Sequence, residues 1–438
     1  MKVVFLCGGA GKRMFPITED KFLLEFIGKT LLEHQLEVAK RAGLTDVVIV
    51  TGGRNARRIE SIAAGIAGVK VKLAIQETPS GIANALESAA HLLDDEIIVV
   101  NPNDVFDGSA YTRLLEAHRA NNAVSYMLGY EVDEYFPGGY LEIDPPDTLT
   151  HIVEKPGKGN EPSNLVNILV HLHTDPERLL NHVANVRTNG DDVYELAIDS
   201  MVKENQTIKV IPFADSWTPI KYPWHIFAVV RQFLDRTPGY VAPTAVISEK
   251  ALVDGNVCID DNVRVLEDAV IRGPVYIGRN SVIGTGSLVR GYSHIGTECV
   301  VGFSTEVKGS YIANGCWFHM CYVGDSIIGE KCSFGANTVF ANWRFDEKNV
   351  SVRVNGKRVD SGLNKLGAIV GNNCRSGVNA SLMPGVKVGP NAIIGPQVCL
   401  TRDLEPDKIA TVSGYSTMRN SFRISDKTAG TRMKVLRH

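Results

Sequence analysis

The stretch IRGPVYIGRNSVIGTGSLVRGYSHIGTECVVG, residues 271–302, sets the reading of the whole chain. Ile271, Ile277, Ile283, Val289, Ile295 and Val301 stand six apart, and Gly often follows, as at Gly278, Gly284, Gly296 and Gly302. Upstream the same register takes in Val241, Ile247, Val253, Ile259 and Val265, and downstream it reaches Val307, so twelve β-branched residues keep one phase. Neither an α-helix nor a simple strand has this period. After an interruption it resumes at Val370-Gly371, Leu382, Val388-Gly389, Ile394-Gly395 and Leu400.

Such hexapeptide repeats resemble the left-handed parallel β-helix. In that fold three six-residue sides make one triangular coil, the aliphatic residue points inward and the small residue after it suits the corner. Hexads specify an architecture and no chemistry. The chain before them is written differently. Apolar runs at Lys2–Cys7, Val47–Thr51, Val69–Ile75, Glu96–Asn101 and Val124–Tyr130 alternate with helical periodicity at Leu31–Ala42, Ile82–Leu93 and Tyr111–Asn121. That alternation predicts an α/β domain with a mostly parallel sheet covered on both faces, and ligands at the carboxyl ends of its strands. The expected division is 1–235 for the α/β domain, 236–410 for the β-helix and 411–438 for a polar tail with Arg419, Arg423, Arg432, Lys434 and Arg437.

Composition narrows the function. The 438 residues carry a net charge of −3, with 44% hydrophobic and 22% charged residues, which excludes disorder as the dominant state and argues against a nucleic-acid binder. No apolar run approaches the roughly eighteen residues of a membrane span, and the short run after Met1 reads as a buried first strand. The eight cysteines form no CxxC pair, so they are expected to be buried thiols of a cytoplasmic protein rather than metal ligands or disulfides.

Gly8-Gly9-Ala10-Gly11-Lys12-Arg13-Met14 follows the first run directly. Glycines let a backbone approach a polyphosphate, and consecutive N–H groups form an anion-binding nest. Lys12 and Arg13 add fixed charge there. Lys21 comes eight residues after Arg13, and Gly28-Lys29-Thr30-Leu31-Leu32-Glu33-His34 leads into a helix. Gln76, Gly81-Ile82-Ala83-Asn84-Ala85, Asn103-Asp104, Gly138-Gly139-Tyr140, Glu154-Lys155-Pro156, Asn164-Leu165-Val166-Asn167, Trp217 and Tyr222-Pro223-Trp224 complete an ordered set.

In that order the set resembles the sugar-1-phosphate nucleotidylyltransferase family, which includes the glucose-1-phosphate thymidylyltransferases. The resemblance implies a Rossmann-like, GT-A-like domain that joins a nucleoside triphosphate to a sugar 1-phosphate and releases pyrophosphate. Arg13 and Lys21 would neutralise charge on the phosphates, and Gly8, Gly9, Gly11 and Lys12 would cradle them. Gln76 and Gly81 would read the base. Gly139, Glu154 and Asn167 would hold the sugar, and Asp104 would hold Mg²⁺. UTP with an N-acetyl-amino-sugar 1-phosphate is the expected pair. The chain departs from the family at several positions. Lys12 replaces Ser or Thr, Asn103 replaces Gly, Pro219 stands where a second metal-binding Asp is common, and Lys221 replaces Gly. Either Asp215 or a water substitutes, or the charge of Lys221 compensates, or nucleotidyl transfer is impaired; retention of Arg13, Lys21, Gln76 and Asp104 leads to the expectation that transfer persists.

A second constellation sits where the hexads lose their register: Trp317-Phe318-His319-Met320-Cys321-Tyr322-Val323-Gly324-Asp325, then Phe334-Gly335-Ala336-Asn337-Thr338, Asn342, a polar loop from about Trp343 to Gly362, and Asn364-Lys365. Excursions from a scaffold are where function collects. The pattern resembles the acetyltransferase half of GlmU and of the archaeal bifunctional sugar-1-phosphate enzymes. It implies His319 as general base toward an amino-sugar 1-phosphate that attacks acetyl-CoA, with Tyr322 and Lys365 on the sugar phosphate and Asn342 orienting the amine or the acetyl group. Ser333 and Asn337 depart from that family's usual Asn and Gly. Such acyltransferases imply a homotrimer. Two other readings remain: a nucleotidylyltransferase on a structural β-helix, or a non-catalytic nucleotide-sugar-binding regulatory subunit.

Overall fold

A computed structural model describes residues 1–9, 11–188, 190, 192–412 and, as backbone, 417–419. Arg423, Arg432, Lys434 and Arg437 of the tail lie outside the described residues. Internal contacts divide the chain into two compact units: Met1–Ala10, Asp20–Leu23 and Thr30–Pro219; and Gly11–Glu19, Leu24–Lys29 and Ile220–His438.

The first unit is built on strands β1 (Lys2–Cys7), β2 (Asp46–Thr51), β3 (Lys70–Ile75), β4 (Ile97–Val100), β5 (Asp104–Phe106), β6 (Ser125–Glu131), β7 (Gly139–Asp144), β8 (Thr148–Glu154), β9 (Leu165–His173), β10 (Ile208–Pro212) and β11 (Trp217–Pro219). Nine of them form one sheet in the order β3-β2-β1-β4-β9-β6-β10-β8-β7, while β5 and β11 pair separately. Alternation sends Val3, Phe5 and Cys7 to one core and Val4 and Leu6 to the other. Helices α1 (Leu31–Arg41), α2 (Ala56–Ala64) and α4 (Ser109–Ala120) cover the first face, and α3 (Ile82–Ala89), α5 (Pro176–Asn185) and α6 (Val193–Lys203) the second.

The sheet is mixed rather than mostly parallel. Helical crossovers make β1 to β4 parallel, but β9 enters antiparallel to both β4 and β6, and β7 and β8 form a hairpin across Pro145-Pro146. The polar interruptions in β7 to β10 hide these half-exposed strands from an apolar-run reading.

The second unit is built on the β-helix, three sheets of two- and three-residue strands that run parallel as far as Lys408–Ala410, which pairs antiparallel with Thr417–Arg419. Val257 pairs with Val275 and Val275 with Ser293, so one turn takes 18 residues. The repeat aliphatics Ile259 to Val307, with Ile312, Phe318, Val323, Ile328, Phe334 and Phe340, fill one continuous core. Glycine after the aliphatic is a matter of space: a Cβ on Gly278 would lie 2.7 Å from the Gly296 carbonyl carbon in the next coil. The left-handed corner falls two residues later, where Asn262, Asp268, Asn280 and Glu298 have φ of +56° to +60° and Gly286 +65°.

The apparent break near Trp317 is not a break in the prism. Val307 to Ile312, Phe318 to Val323 and Val323 to Ile328 are five-residue sides, and the coils run on through them. The true excursion comes later: Ile327 pairs with Ile369, 42 residues on, against 18 for a regular turn. The extra chain holds a hairpin, Ser351–Val354 against Lys357–Asp360. Within this unit, helix α7 (His225–Arg236) and the segment Leu24–Lys29 cover an outer aromatic row, Tyr276, His294 and Tyr311, whose rings stack at 4.9 Å. Phe26 sits 5.7 Å from both Phe233 and Tyr311.

Candidate active sites

In the first unit the strands deliver their ends to one polar corner. β1 ends at Gly8-Gly9, and β3 ends at Gln76, whose amide N–H donates to the Thr51 carbonyl at the end of β2, 2.9 Å away. Gln76 is buried, and its Nε2 donates to Asn84 Oδ1 at 2.9 Å and to the Gly81 carbonyl at 3.3 Å. A side chain on Gly8 would collide with Gln76 Oε1. Gly81, at φ 107°, opens α3, so Gln76 is pinned beside the positive end of a helix. Lys21, half-buried, begins a short 3₁₀ turn through Leu23.

Asp104 begins β5 and is buried. Its Oδ1 accepts from Asn101 Nδ2 at 3.2 Å, and its carbonyl accepts from Gln35 Nε2 at 2.7 Å. Directly across the strand pair stands Pro219. Asp215 is engaged elsewhere, with Ser109 Oγ at 2.7 Å and Arg113 at 3.1 Å. Among the described residues no three His, Cys, Asp or Glu side chains gather as a metal cage. A buried carboxylate beside Asn103, whose Oδ1 is buried without a partner, is nevertheless a hard-oxygen donor set of the kind Mg²⁺ takes when phosphates and water complete its shell.

Gly139, Glu154 and Asn167 come together because β7 pairs with β8, Gly139 opposite Glu154, and with β9 through Tyr140 and Val166. A Cβ on Gly139 would lie 3.2 Å from Glu154 Oε2 and 3.7 Å from Asn167 Nδ2, so an acceptor and a donor converge over a bare backbone. Glu154 Oε1 pairs with Lys155 at 2.7 Å. Behind Asn167 lie His171, His173 and Tyr194, all buried, which the sequence reading did not single out. Their signal was present: polar residues on alternate positions of an apolar strand share one face.

Gly11 (φ 57°) opens the turn Lys12–Met14 in the second unit. Lys12 is exposed there, and the Arg13 guanidinium lies 5.8 Å from the Tyr222 ring centroid.

Further along the second unit, His319 occupies the corner between strands Trp317–Phe318 and Tyr322–Gly324. Its backbone is held, the N–H donating to the Phe334 carbonyl at 3.2 Å. Its imidazole is exposed and makes no hydrogen bond or ring contact among the described residues. Nearby, Asp325 Oδ2 accepts from Lys308 Nζ at 2.6 Å and from Asn342 Nδ2 at 2.5 Å. Asn342 also hydrogen-bonds Tyr322, whose pKa is pushed up by burial and then by the Glu306 carboxylate. Gly324 permits this approach, since a Cβ there would lie 2.7 Å from both Asn342 Nδ2 and Tyr322 Oη. Lys365 bridges the backbone of Trp343 at the neck of the long loop, its ammonium 5.2 Å from the indole. Tyr322 and Asn342 are thus brought together, with Lys308 and Asp325 as members the sequence reading left without a role. Asn337 is a left-handed corner (φ 60°) that donates to Asn379 at 3.0 Å. All eight cysteines are free thiols, seven of them buried.

Similarity to known proteins covers 92% of the chain. The nucleotidyl transferase family profile matches residues 2–217, and the profile of the bacterial transferase hexapeptide (six repeats) matches residues 367–402. A bifunctional protein GlmU from Methanococcus maripaludis strain C7 is 37% identical over 413 residues, covering 92% of this chain and 96% of that one. A bifunctional sugar-1-phosphate nucleotidylyltransferase/acetyltransferase from Sulfurisphaera tokodaii is 33% identical, over 92% and 98% of the two chains. A bifunctional protein GlmU from Methanocaldococcus jannaschii is likewise 33% identical, over 92% and 96%.

Proposed function

The chain belongs to the GlmU-type family of bifunctional nucleotidylyltransferase/acetyltransferases, and on that premise we propose that it carries out both reactions on amino-sugar 1-phosphates. In the first, a phosphate oxygen of the sugar 1-phosphate attacks the α-phosphorus of a nucleoside triphosphate, taken here as UTP. The bond to the leaving oxygen breaks and pyrophosphate departs. Such a transfer needs positioning and charge more than covalent help. Gly8 and Gly9 let the phosphates approach the backbone, Lys21 offsets their charge, and Gln76 with Gly81 meets the base. Glu154 accepts from one sugar hydroxyl above Gly139, and Asn167 donates to a neighbouring group. Asp104 would hold Mg²⁺, which when bound supplies further neutralisation of the phosphates.

In the second reaction the sugar amine attacks the thioester carbon of acetyl-CoA. A C–N bond forms, the C–S bond breaks and CoA leaves as the thiol. His319 takes the amine proton and passes it to the departing CoA sulfur, Tyr322 and Lys365 hold the sugar phosphate, and Asn342 orients the nucleophile. The prism edge that carries His319 also exposes Phe303 and Met320 in successive coils and Val378 two coils further on, at 62%, 41% and 49%. This apolar edge supports association as a homotrimer, checked by sedimentation velocity.

The observation that carries the proposal is similarity over 92% of its length to bifunctional relatives in a chain with two separate polar clusters. Its test is a matrix of nucleoside triphosphates and sugar 1-phosphates, with and without acetyl-CoA, read by mass spectrometry. A nucleotide sugar and an N-acetylated sugar phosphate are expected; absence of either from every combination removes that half. Pro219 opposite Asp104 favours one rival, nucleotide binding without turnover, and calorimetric UTP binding in a protein that releases no pyrophosphate would establish it.

A further inference from the structure

Strand β9 carries a polar line that the sugar subsite alone does not explain. Asn167, His171 and His173 lie on one face of the strand, and Tyr194 in the first turn of α6 reaches both histidines. The Tyr194 hydroxyl is 2.8 Å from His171 Nδ1 and 2.8 Å from His173 Nε2. His171 Nε2 is 2.6 Å from Asn167 Oδ1, and His173 Nδ1 is 2.8 Å from Ser125 Oγ. Four hydrogen bonds thus join Ser125 on β6 to Asn167 in one line, with the Ile168 carbonyl also facing the His171 ring. His171, His173, Tyr194 and Ser125 are all essentially inaccessible to solvent.

The line admits two self-consistent senses, and Asn167 Oδ1, facing His171 Nε2, selects one. Burial pushes His173 down to about 3 and, with His173 beside it, holds His171 well below the usual histidine range, so both rings are neutral. A neutral imidazole has one donor and one acceptor, so each ring hands on the sense of the bond it receives. With Asn167 Oδ1 accepting, His171 carries its proton on Nε2 and accepts from Tyr194 at Nδ1. Tyr194 then accepts from His173 Nε2, and His173 Nδ1 accepts from Ser125. Asn167 Nδ2, which has no partner among the described residues, is left beside Gly139 and Glu154.

We propose that Ser125, His173, Tyr194 and His171 form a positioning relay that locks the Asn167 carboxamide with its NH₂ toward the sugar. The subsite then requires a hydroxyl or carbonyl oxygen as acceptor next to the hydroxyl that donates to Glu154. The proposal rests on the assignment of Gly139, Glu154 and Asn167 to the sugar. Reversing the amide would present two acceptors side by side and lose that discrimination. None of the four relay residues touches substrate.

The first test needs neither turnover nor a variant. Nitrogen-15 NMR of the histidine rings in the substrate-free protein is expected to find His171 and His173 neutral and protonated at Nε2. An Nδ1-protonated or charged ring at either position overturns the relay. The second test is Tyr194→Phe, which removes the central link and keeps the ring. KM for the sugar 1-phosphate is expected to rise about tenfold while KM for the nucleoside triphosphate holds. A common rise in both, or no change, overturns the proposal. If Tyr194→Phe does not fold, the wild-type spectrum decides alone. Absence of nucleotidyl transfer would defeat the enzymatic reading and leave the spectrum to judge the relay.

Discussion

His294 illustrates how a single residue ties the β-helix to pH. Its ring is stacked between Tyr276 and Tyr311, fully buried, and its Nε2 accepts from the Ile27 amide at 3.3 Å. Burial pushes its pKa from 6.5 down to about 4. The unfolded chain therefore binds the proton more readily between those values, and stability must rise with pH across that window. The contribution is complete above pH 6.5 and is lost as pH falls toward 4, a loss of up to about 3 kcal/mol. His294→Phe keeps the stack and cannot be protonated. Urea titrations of the two proteins should therefore diverge, the wild type losing about 1.4 kcal/mol more per pH unit below pH 6.5. Parallel curves would show that the ring is reached by solvent. A histidine in the repeat is legible in sequence; that Tyr276 and Tyr311 sandwich it is not, because five-residue sides shift the stacking register from 18 to 17 residues.

At the scale of the coil, two kinds of glycine do different work, and substitution separates them. Gly278 faces the backbone of the next coil at 2.7 Å, so Gly278→Ala must push coils apart and is expected to cost about 1–3 kcal/mol. Gly286 occupies a left-handed corner with only Ser304 Oγ at 3.5 Å, and Asn280 fills the equivalent corner one side earlier. Gly286→Asn should therefore change stability by less than about 1 kcal/mol, as corner Asn tolerates positive φ. Thermal unfolding of both variants checks the contrast. The six-residue period was plain in sequence because the prism repeats one environment. The five-residue sides were read as a break, since removal of one residue resets the phase without moving the side chains off the interior. In the α/β unit the first strands and helices were read close to their observed bounds. The mixed order of the sheet escaped, because pairing of β9 with β4 and β6 depends on contacts far apart in sequence.

Across the whole molecule, the two clusters belong to different compact units, Asn167 to the first and His319 to the second. Among the described residues the His319 imidazole has no internal partner, so its removal leaves little to repack. His319→Ala should abolish acetyl transfer and leave nucleotidyl transfer at the wild-type rate; equal loss of both would contradict two separate sites. Sequence alone determined that this chain joins an α/β unit to a hexad prism, because period and motif order are local properties that each segment carries by itself. It also marked Gly139, Glu154, Asn167, Tyr322 and Asn342 as candidates. Only the tertiary structure decided that Glu154 and Asn167 meet over Gly139, that Asp325 gathers Lys308 and Asn342, and that a buried tyrosine joins two histidines behind Asn167. Those neighbours lie tens of residues apart, and the strand pairing and coil stacking that unite them are set by burial and backbone hydrogen bonding over the whole fold.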